Sequence, residues 1–291
     1  MARIPWDEAC TFDSSLSALG KVWGTLPSYA ETLSGGLTNR CWKIYGEDGK
    51  PYIWRPVTDL TRELSISRQQ EYQILSALQK NAPHLAPKPI SRQPEGILVE
   101  WIEGDVITEL SEVDIVRLLS DIHRQDCNAI PVSPFNYTAR IDHYWLILES
   151  GNENVARFES IYHSLRVVPP VSRRESVLCH FDLGVHNIIR SRQGLKVIDW
   201  EYASIADPRI DIAMTVFMEN ADLVKFVARY CKMNGLESVN DWINGVKAWM
   251  PRVYFMAFLW YLVAYHHGCG DDYLTWAEEL FPLISDGSGR N

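Results

Sequence analysis

Short runs of alternating apolar and polar residues occupy the first third of the chain, and longer apolar stripes occupy the rest. Tyr29 to Leu33, Arg40 to Tyr45 and Tyr52 to Arg55 have the length and the aromatic or β-branched content of strands, punctuated by turns at Gly35-Gly36 and Gly46 to Gly49. The spacing then changes and predicts a helix from about Glu63 to Lys80. Pro83, Pro87 and Pro89 break it, after which Ile97-Leu98-Val99-Glu100-Trp101 reads as another strand that Gly104 ends. Ser111 with Asp114 forms a capping arrangement that opens a helix through His123, with Ile115, Leu118, Leu119 and Ile122 on one face. Further on, helices dominate apart from short hairpins, and no internal repeat or low-complexity linker interrupts them. The pattern predicts an α+β protein with a small strand-rich lobe, residues 1–103, and a larger, mostly helical lobe, residues 104–291.

Among these elements, Val177 to Tyr202 carries the most specific chemistry. His180-Phe181-Asp182 follows the short apolar run Val177-Leu178-Cys179; Asn187 comes five residues after Asp182; and Asp199 closes the run Leu195-Lys196-Val197-Ile198. Order and spacing reproduce a kinase catalytic loop and its downstream metal-binding aspartate. Phosphoryl transfer requires an aimed hydroxyl and neutralised negative charge, so Asp182 suits a general base and Asn187 with Asp199 suit Mg2+, a hard cation that takes oxygen ligands. Ile188-Ile189 and the turn Arg192-Gln193-Gly194 bring the three polar groups to neighbouring strand ends. Each residue alone fits an ordinary turn; three in order within apolar frames point to chemistry. His180 fits a buried hydrogen-bonding post for the loop, and Cys179, His180 and His186 match no zinc-ligand spacing.

HFDLGVHN, then VIDWEYA, with Asp207-Pro208 and Asp211 beyond, resembles the aminoglycoside phosphotransferase and choline kinase superfamily. The IDWEYA form is similar to the choline and thiamine kinases within it. LSGGLTNRCWKI and YIWRP resemble the opening strands of such enzymes. ENADL, with the Trp-rich segment ending at Trp249-Met250-Pro251, resembles the tail of bacterial thiamine kinases. The resemblance implies a two-lobed, protein-kinase-like fold with ATP between the lobes. Arg55 stands on the third strand where protein kinases place a phosphate-binding Lys, and Glu71 in the following helix is its best partner. Gly35 and Gly36 are candidates to cover phosphates with backbone N–H groups, although glycine pairs between strands also make plain hairpin turns. Glu100, Trp101 and Ile102 form the expected hinge against adenine. Glu201 fits either a support for the metal shell or a structural acceptor, and Asp211 either a helix cap or an acceptor for the catalytic-loop backbone.

Composition limits the partners. The chain has 291 residues, 46% hydrophobic and 22% charged, which is ordinary for a folded globular protein. A net charge of -9 argues against nucleic acid and anionic membranes and suits a cationic small molecule. Six scattered cysteines without a CxxC pair fit reduced packing residues of a cytoplasmic protein, and MARIPWDEACTF lacks the apolar run of a signal peptide. Val253 to Tyr265, the longest nearly continuous apolar stretch, is too short for a bilayer and reads as a buried helix. Trp242, Trp249, Tyr254, Phe255, Phe258, Trp260, Tyr261, Tyr265 and Trp276 crowd the second lobe, mostly as core, with a few rings available to hold a cation by stacking and cation-π attraction. The expected reaction is phosphorylation of the primary hydroxyl of thiamine to thiamine monophosphate. Choline or ethanolamine is the alternative acceptor. A nucleotide-binding regulator without catalysis is the other class, disfavoured by the intact Asp182, Asn187 and Asp199.

Overall fold

In the first sheet, successive residues of a strand face opposite sides, and both sides find cover. The computed structural model describes residues 3–33, 41–150 and 155–288. Strands β1 (Arg3–Pro5), β2 (Tyr29–Thr32), β3 (Trp42–Tyr45), β4 (Pro51–Pro56), β5 (Pro89–Gln93) and β6 (Gly96–Glu100) form a six-stranded antiparallel sheet in the order β1-β2-β3-β4-β6-β5. Ala30, Trp42, Ile44, Trp54 and Leu98 pack under Trp6, Leu16 and Leu19 of the N-terminal segment. The intervening residues Ile97 and Val99 join Leu75 and Leu78 of the helix Arg68–Asn81 on the other face. Arg55, next to Trp54 in β4, therefore points toward that helix, where the period-2 alternation puts it.

The expected helix from Glu63 is two helices, Asp59–Glu63 and Arg68–Asn81. Ser65 between them has a positive φ of 58°, a conformation that ends a right-handed helix, and Ser67 caps the second by accepting from Gln70 N–H. Gly104 does not end a strand. It starts β7 (Gly104–Val106), which pairs with β9 (Ile188–Ser191), itself paired with β10 (Gly194–Val197). A Cβ at Gly104 would lie 2.4 Å from the Arg190 carbonyl oxygen, so only glycine allows this approach. The other pair is β8 (Val177–Cys179) with β11 (Ser204–Ala206).

Around these hairpins stand the helices Glu112–His123, Tyr137–Ser150, Pro208–Met218, Leu223–Asn234, Val239–His266 and Asp272–Ser288. Val253 to Tyr265 lies inside the fifth of them, as the apolar stretch predicts. One apolar cluster runs from Leu75 and Ile97 through Ile115 and Leu119 to Val253 and Leu259, so the sheet and the helical part share a core. Among the described residues no helix is long and apolar enough to cross a membrane.

Candidate active site

β8 delivers the chain to His180-Phe181-Asp182, and one buried carboxylate fixes the backbone of that loop. Asp211, on the helix Pro208–Met218, accepts from His180 N–H at 2.8 Å and Phe181 N–H at 2.7 Å. It is thus an acceptor for the catalytic-loop backbone, while Asp207 caps the helix by accepting from Arg209 N–H. Phe181 takes a positive φ of 64°, a strained conformation for an aromatic residue that these two bonds hold in place. His123 lies between Asp211, 3.0 Å from its Nε2, and the Tyr230 hydroxyl, 2.7 Å from its Nδ1. Cys179, His123 and Asp211 place ligand atoms within 4.8 Å of one another, yet both Asp211 oxygens already serve backbone N–H groups and burial pushes the Cys179 thiol up, away from the thiolate a metal needs. This cluster is a hydrogen-bond hub.

His180 is the buried post expected of it. Its Nδ1 accepts from Asp182 N–H at 3.2 Å, its Nε2 lies 3.1 Å from the Ile198 carbonyl, and burial lowers its pKa toward the neutral imidazole these bonds require. Ile198 N–H in turn donates to the Asn187 carbonyl, so the two loops are tied directly. Asn187 Nδ2 donates to the Asp182 carbonyl at 2.9 Å and to Asp182 Oδ2 at 2.8 Å. That commits the amide nitrogen and leaves the side-chain oxygen as a donor for a hard cation. Asp199 follows β10 in a left-handed conformation, φ 62°, unusual for a non-glycine residue and frequent at functional sites. Asn187 and Asp199 thus form an all-oxygen donor pair that fits Mg2+.

Behind Asp199 lies a cluster of five buried or half-buried charges. Arg55 Nη2 reaches Asp199 Oδ1 at 2.5 Å and Glu201 Oε2 at 2.9 Å. Its Nε lies 2.8 Å from Glu71 Oε1, an ion pair by distance whose N–H is not aligned for a hydrogen bond. Arg68 Nη1 donates to Glu71 Oε2 at 2.6 Å and to Glu201 Oε2 at 3.0 Å, and its Nε donates to the Pro56 carbonyl. Burial opposes the charge on Asp199, but Arg55 and then Arg68 outweigh it and hold the carboxyl below its ordinary value. Burial, and then the Asp199 charge, push Glu201 up to about 7. Glu201 is therefore an acceptor for two guanidinium groups. Sequence reasoning paired Arg55 with Glu71 and missed Arg68; its signal was a charge sharing the face of Glu71, Leu75 and Leu78, one turn apart on a helix.

Asp182, Asn187, Asp199 and Glu201 together line a cavity of about 550 Å3. The other walls are mostly apolar and aromatic, apart from Arg140 and His186, with Trp260, Tyr261 and Trp276 from the expected group, joined by Tyr202, which accepts from Trp260 Nε1 at 2.7 Å. Trp242, Trp249, Phe255 and Phe258 are core. Phe135, Tyr144 and the methionines Met214, Met218 and Met256 also line the cavity and were missed, because the loop and helices that carry them show no local mark of a cleft. The expected hinge, Glu100, Trp101 and Ile102, does not line it. Glu100 pairs with Lys88 through both N–H and carboxylate, the Lys43 amine sits 4.0 Å above the Trp101 ring, and Ile102 is buried. Gly35 and Gly36 lie outside the described residues.

Residues 30–243 match the model of the phosphotransferase enzyme family, and the chain belongs to that family. It is a phosphotransferase with an alcohol group as acceptor, and among its relatives is a thiamine kinase from Escherichia coli strain SMS-3-5, 26% identical over 255 residues that cover 86% of this chain and 87% of the relative. An ethanolamine kinase from Plasmodium vivax superposes with a TM-score of 0.72 at 19% identity, covering 95% of this chain and 87% of its own. A choline kinase from Streptococcus pneumoniae gives 0.67 at 22% identity over 94% and 96%. These likenesses show the fold: a two-lobed, protein-kinase-like plan with a small strand-rich lobe and a larger helical one.

Proposed function

We propose that this protein transfers a phosphoryl group from ATP, with Mg2+, to the primary hydroxyl of thiamine, giving thiamine monophosphate. The observation that carries the reading is that Asp182, Asn187 and Asp199 together line a largely aromatic-walled cavity of about 550 Å3, within the ~300–1,000 Å3 of small-molecule sites. In this reading Asp182 orients the hydroxyl and takes its proton, held at the right place by Asn187 Nδ2 and by the anchored loop. Asn187 and Asp199 hold Mg2+, which when bound neutralises charge on the transferred group. Arg55 and Glu71 serve the nucleotide phosphates from residues 1–103, with Gly35, Gly36 and the hinge Glu100, Trp101 and Ile102 on the same side, while residues 104–291 bind the acceptor.

The thiamine assignment is supported by the curated relatives, and by Trp260, Tyr261 and Trp276, which offer a ring cation both stacking and cation-π attraction. The test offers equal concentrations of thiamine, choline, ethanolamine and an aminoglycoside with Mg-ATP and identifies products by mass. Thiamine monophosphate is the expected main product. Preferential phosphocholine would overturn the acceptor but leave the chemistry standing. Asp182→Asn is expected to cut turnover on the order of 100-fold or more with fold and nucleotide binding retained; near-normal turnover would remove Asp182 from its role.

A further inference from the structure

One wall residue of the cavity proposed to receive a cation is itself a permanent cation that the chemistry above does not use. Arg140, on the helix Tyr137–Ser150, lines the same cavity as Asp182 and Trp260. Its guanidinium lies 5.5 Å from the Phe135 ring centre and 5.8 Å from that of Tyr144. Its hydrogen bonds are long, 3.3 Å from Nη1 to the Tyr144 hydroxyl and 3.4 Å from Nη2 to the Ser65 carbonyl, against ~2.9–3.0 Å for well-formed N–H···O bonds. Among the described residues it makes no ion pair with a carboxylate. Arg140 and Phe135 also line a second, smaller cavity of about 220 Å3, whose walls include Ser65, Gln70, Asn136 and Ser204. The guanidinium thus stands where an aromatic chamber meets a polar one.

A guanidinium has five N–H donors and no acceptor, and it prefers lone pairs or negative charge. Beyond the hydroxyl that reacts, a compact quaternary ammonium alcohol brings neither; it would share a chamber with a second positive charge. An acceptor with a further polar group can keep its cation near the carboxylates and offer that group's lone pair to the guanidinium. We infer that Arg140 is the specificity-determining residue of the acceptor site: it donates hydrogen bonds to a lone-pair-bearing nitrogen or oxygen of the acceptor other than its reacting hydroxyl, and it disfavours compact ammonium alcohols. This rests on the cavity being the acceptor site of the proposed reaction. For thiamine the group received is the aminopyrimidine ring.

The experiment compares wild type, Arg140→Met and Arg140→Lys on three alcohols: thiamine, an N-methyl thiazolium carrying the same hydroxyethyl group but no pyrimidine, and choline. Far-ultraviolet circular dichroism and thermal midpoints check folding. In Arg140→Met, kcat/KM for thiamine is expected to fall about tenfold or more through KM, the size of one lost hydrogen bond to a charged group. The truncated thiazolium should change less than threefold, and choline should improve. Arg140→Lys, which keeps the charge but not the planar fork, should still exclude choline while losing part of the thiamine preference. An equal fall for all three alcohols would make Arg140 a structural prop and overturn the inference, as would an unchanged KM for thiamine. If wild type uses choline and not thiamine, the thiamine reading fails by itself; the inference then survives only if Arg140→Met raises the efficiency on choline. No turnover of any of the three removes both.

Discussion

Two polar networks flank the same cavity, and they are built on opposite principles. Around Asp211, a single buried carboxylate is matched to the N–H groups of His180 and Phe181, with His123 and Tyr230 behind it. Around Arg55, five charges crowd together, three carboxylates sharing two guanidinium groups. The first network fixes the backbone that carries Asp182, and neutral or singly charged partners suffice for a part that must stay still. The second contains one more negative than positive charge when fully ionised, and joins β4 and the helix Arg68–Asn81 to the loop after β10. A cluster of that kind can accept a cation and rearrange its pairs, and it depends on every member being present.

That contrast is broken most sharply by Arg68→Met. Removing one partner of a buried ionic cluster leaves Glu71 and Glu201 undercompensated and should cost about 3–5 kcal/mol, read from denaturant midpoints. A loss below about 1 kcal/mol would show that the cluster is wet and loosely coupled.

The next effect is on pH dependence. Glu201 has an ordinary value of 4.5 and a folded value of about 7, so between those limits the folded protein binds the extra proton. Stability carried by this group is therefore present below pH 4.5 and declines as pH rises toward 7, by roughly 2–3 kcal/mol from the linkage relation. Glu201→Gln should flatten that decline in thermal midpoints measured from pH 4.5 to 7.5; parallel curves for the two proteins would place the proton elsewhere.

On the other side of the comparison, Asp211→Asn exchanges an acceptor for a donor facing a backbone N–H. One buried N–H loses its partner, with an expected cost of about 1–3 kcal/mol, and turnover should fall while Mg-ATP affinity measured by calorimetry holds. Equal losses in turnover and nucleotide affinity would mean that the two networks act as one. The smallest effect is Tyr230→Phe, which removes one hydrogen bond to His123 and should cost ~0.5–1.5 kcal/mol.

Much of the candidate site was legible because it is local. Asp182, Asn187 and Asp199 lie in one stretch framed by short apolar strands, and the structure brings them together at one cavity. The Arg55–Glu71 contact was legible from the kinase-like position of Arg55 on the third strand and of Glu71 in the helix that follows. Arg68 was missed although it shares the helix face of Glu71, because its partner Glu201 is 133 residues away and only that long-range pairing shows why a guanidinium is buried there. The break at Ser65 escaped notice because LSIS contains neither glycine nor proline. Gly104 was misjudged for a related reason: glycine punctuates a local pattern, but here it permits a tertiary approach to β9 that no local pattern encodes. The cavity walls were half visible: Trp260, Tyr261 and Trp276 stood out as aromatic, whereas Arg140, Tyr144 and Tyr202 look like ordinary helix and loop residues.

The mixed origin of the cavity has a consequence for how such a protein changes over time. Asp182, Asn187 and Asp199 come from one short stretch, but much of the rest of the chamber comes from four separate helices, through Tyr144, Met214, Met256 and Trp276. A substitution on any one helix reshapes a single facet and leaves the other facets and the reacting groups in place. Methionine tolerates such remodelling well, because its unbranched thioether refills irregular gaps. Acceptor preference can therefore drift by single steps along a lineage while phosphoryl transfer is inherited unchanged.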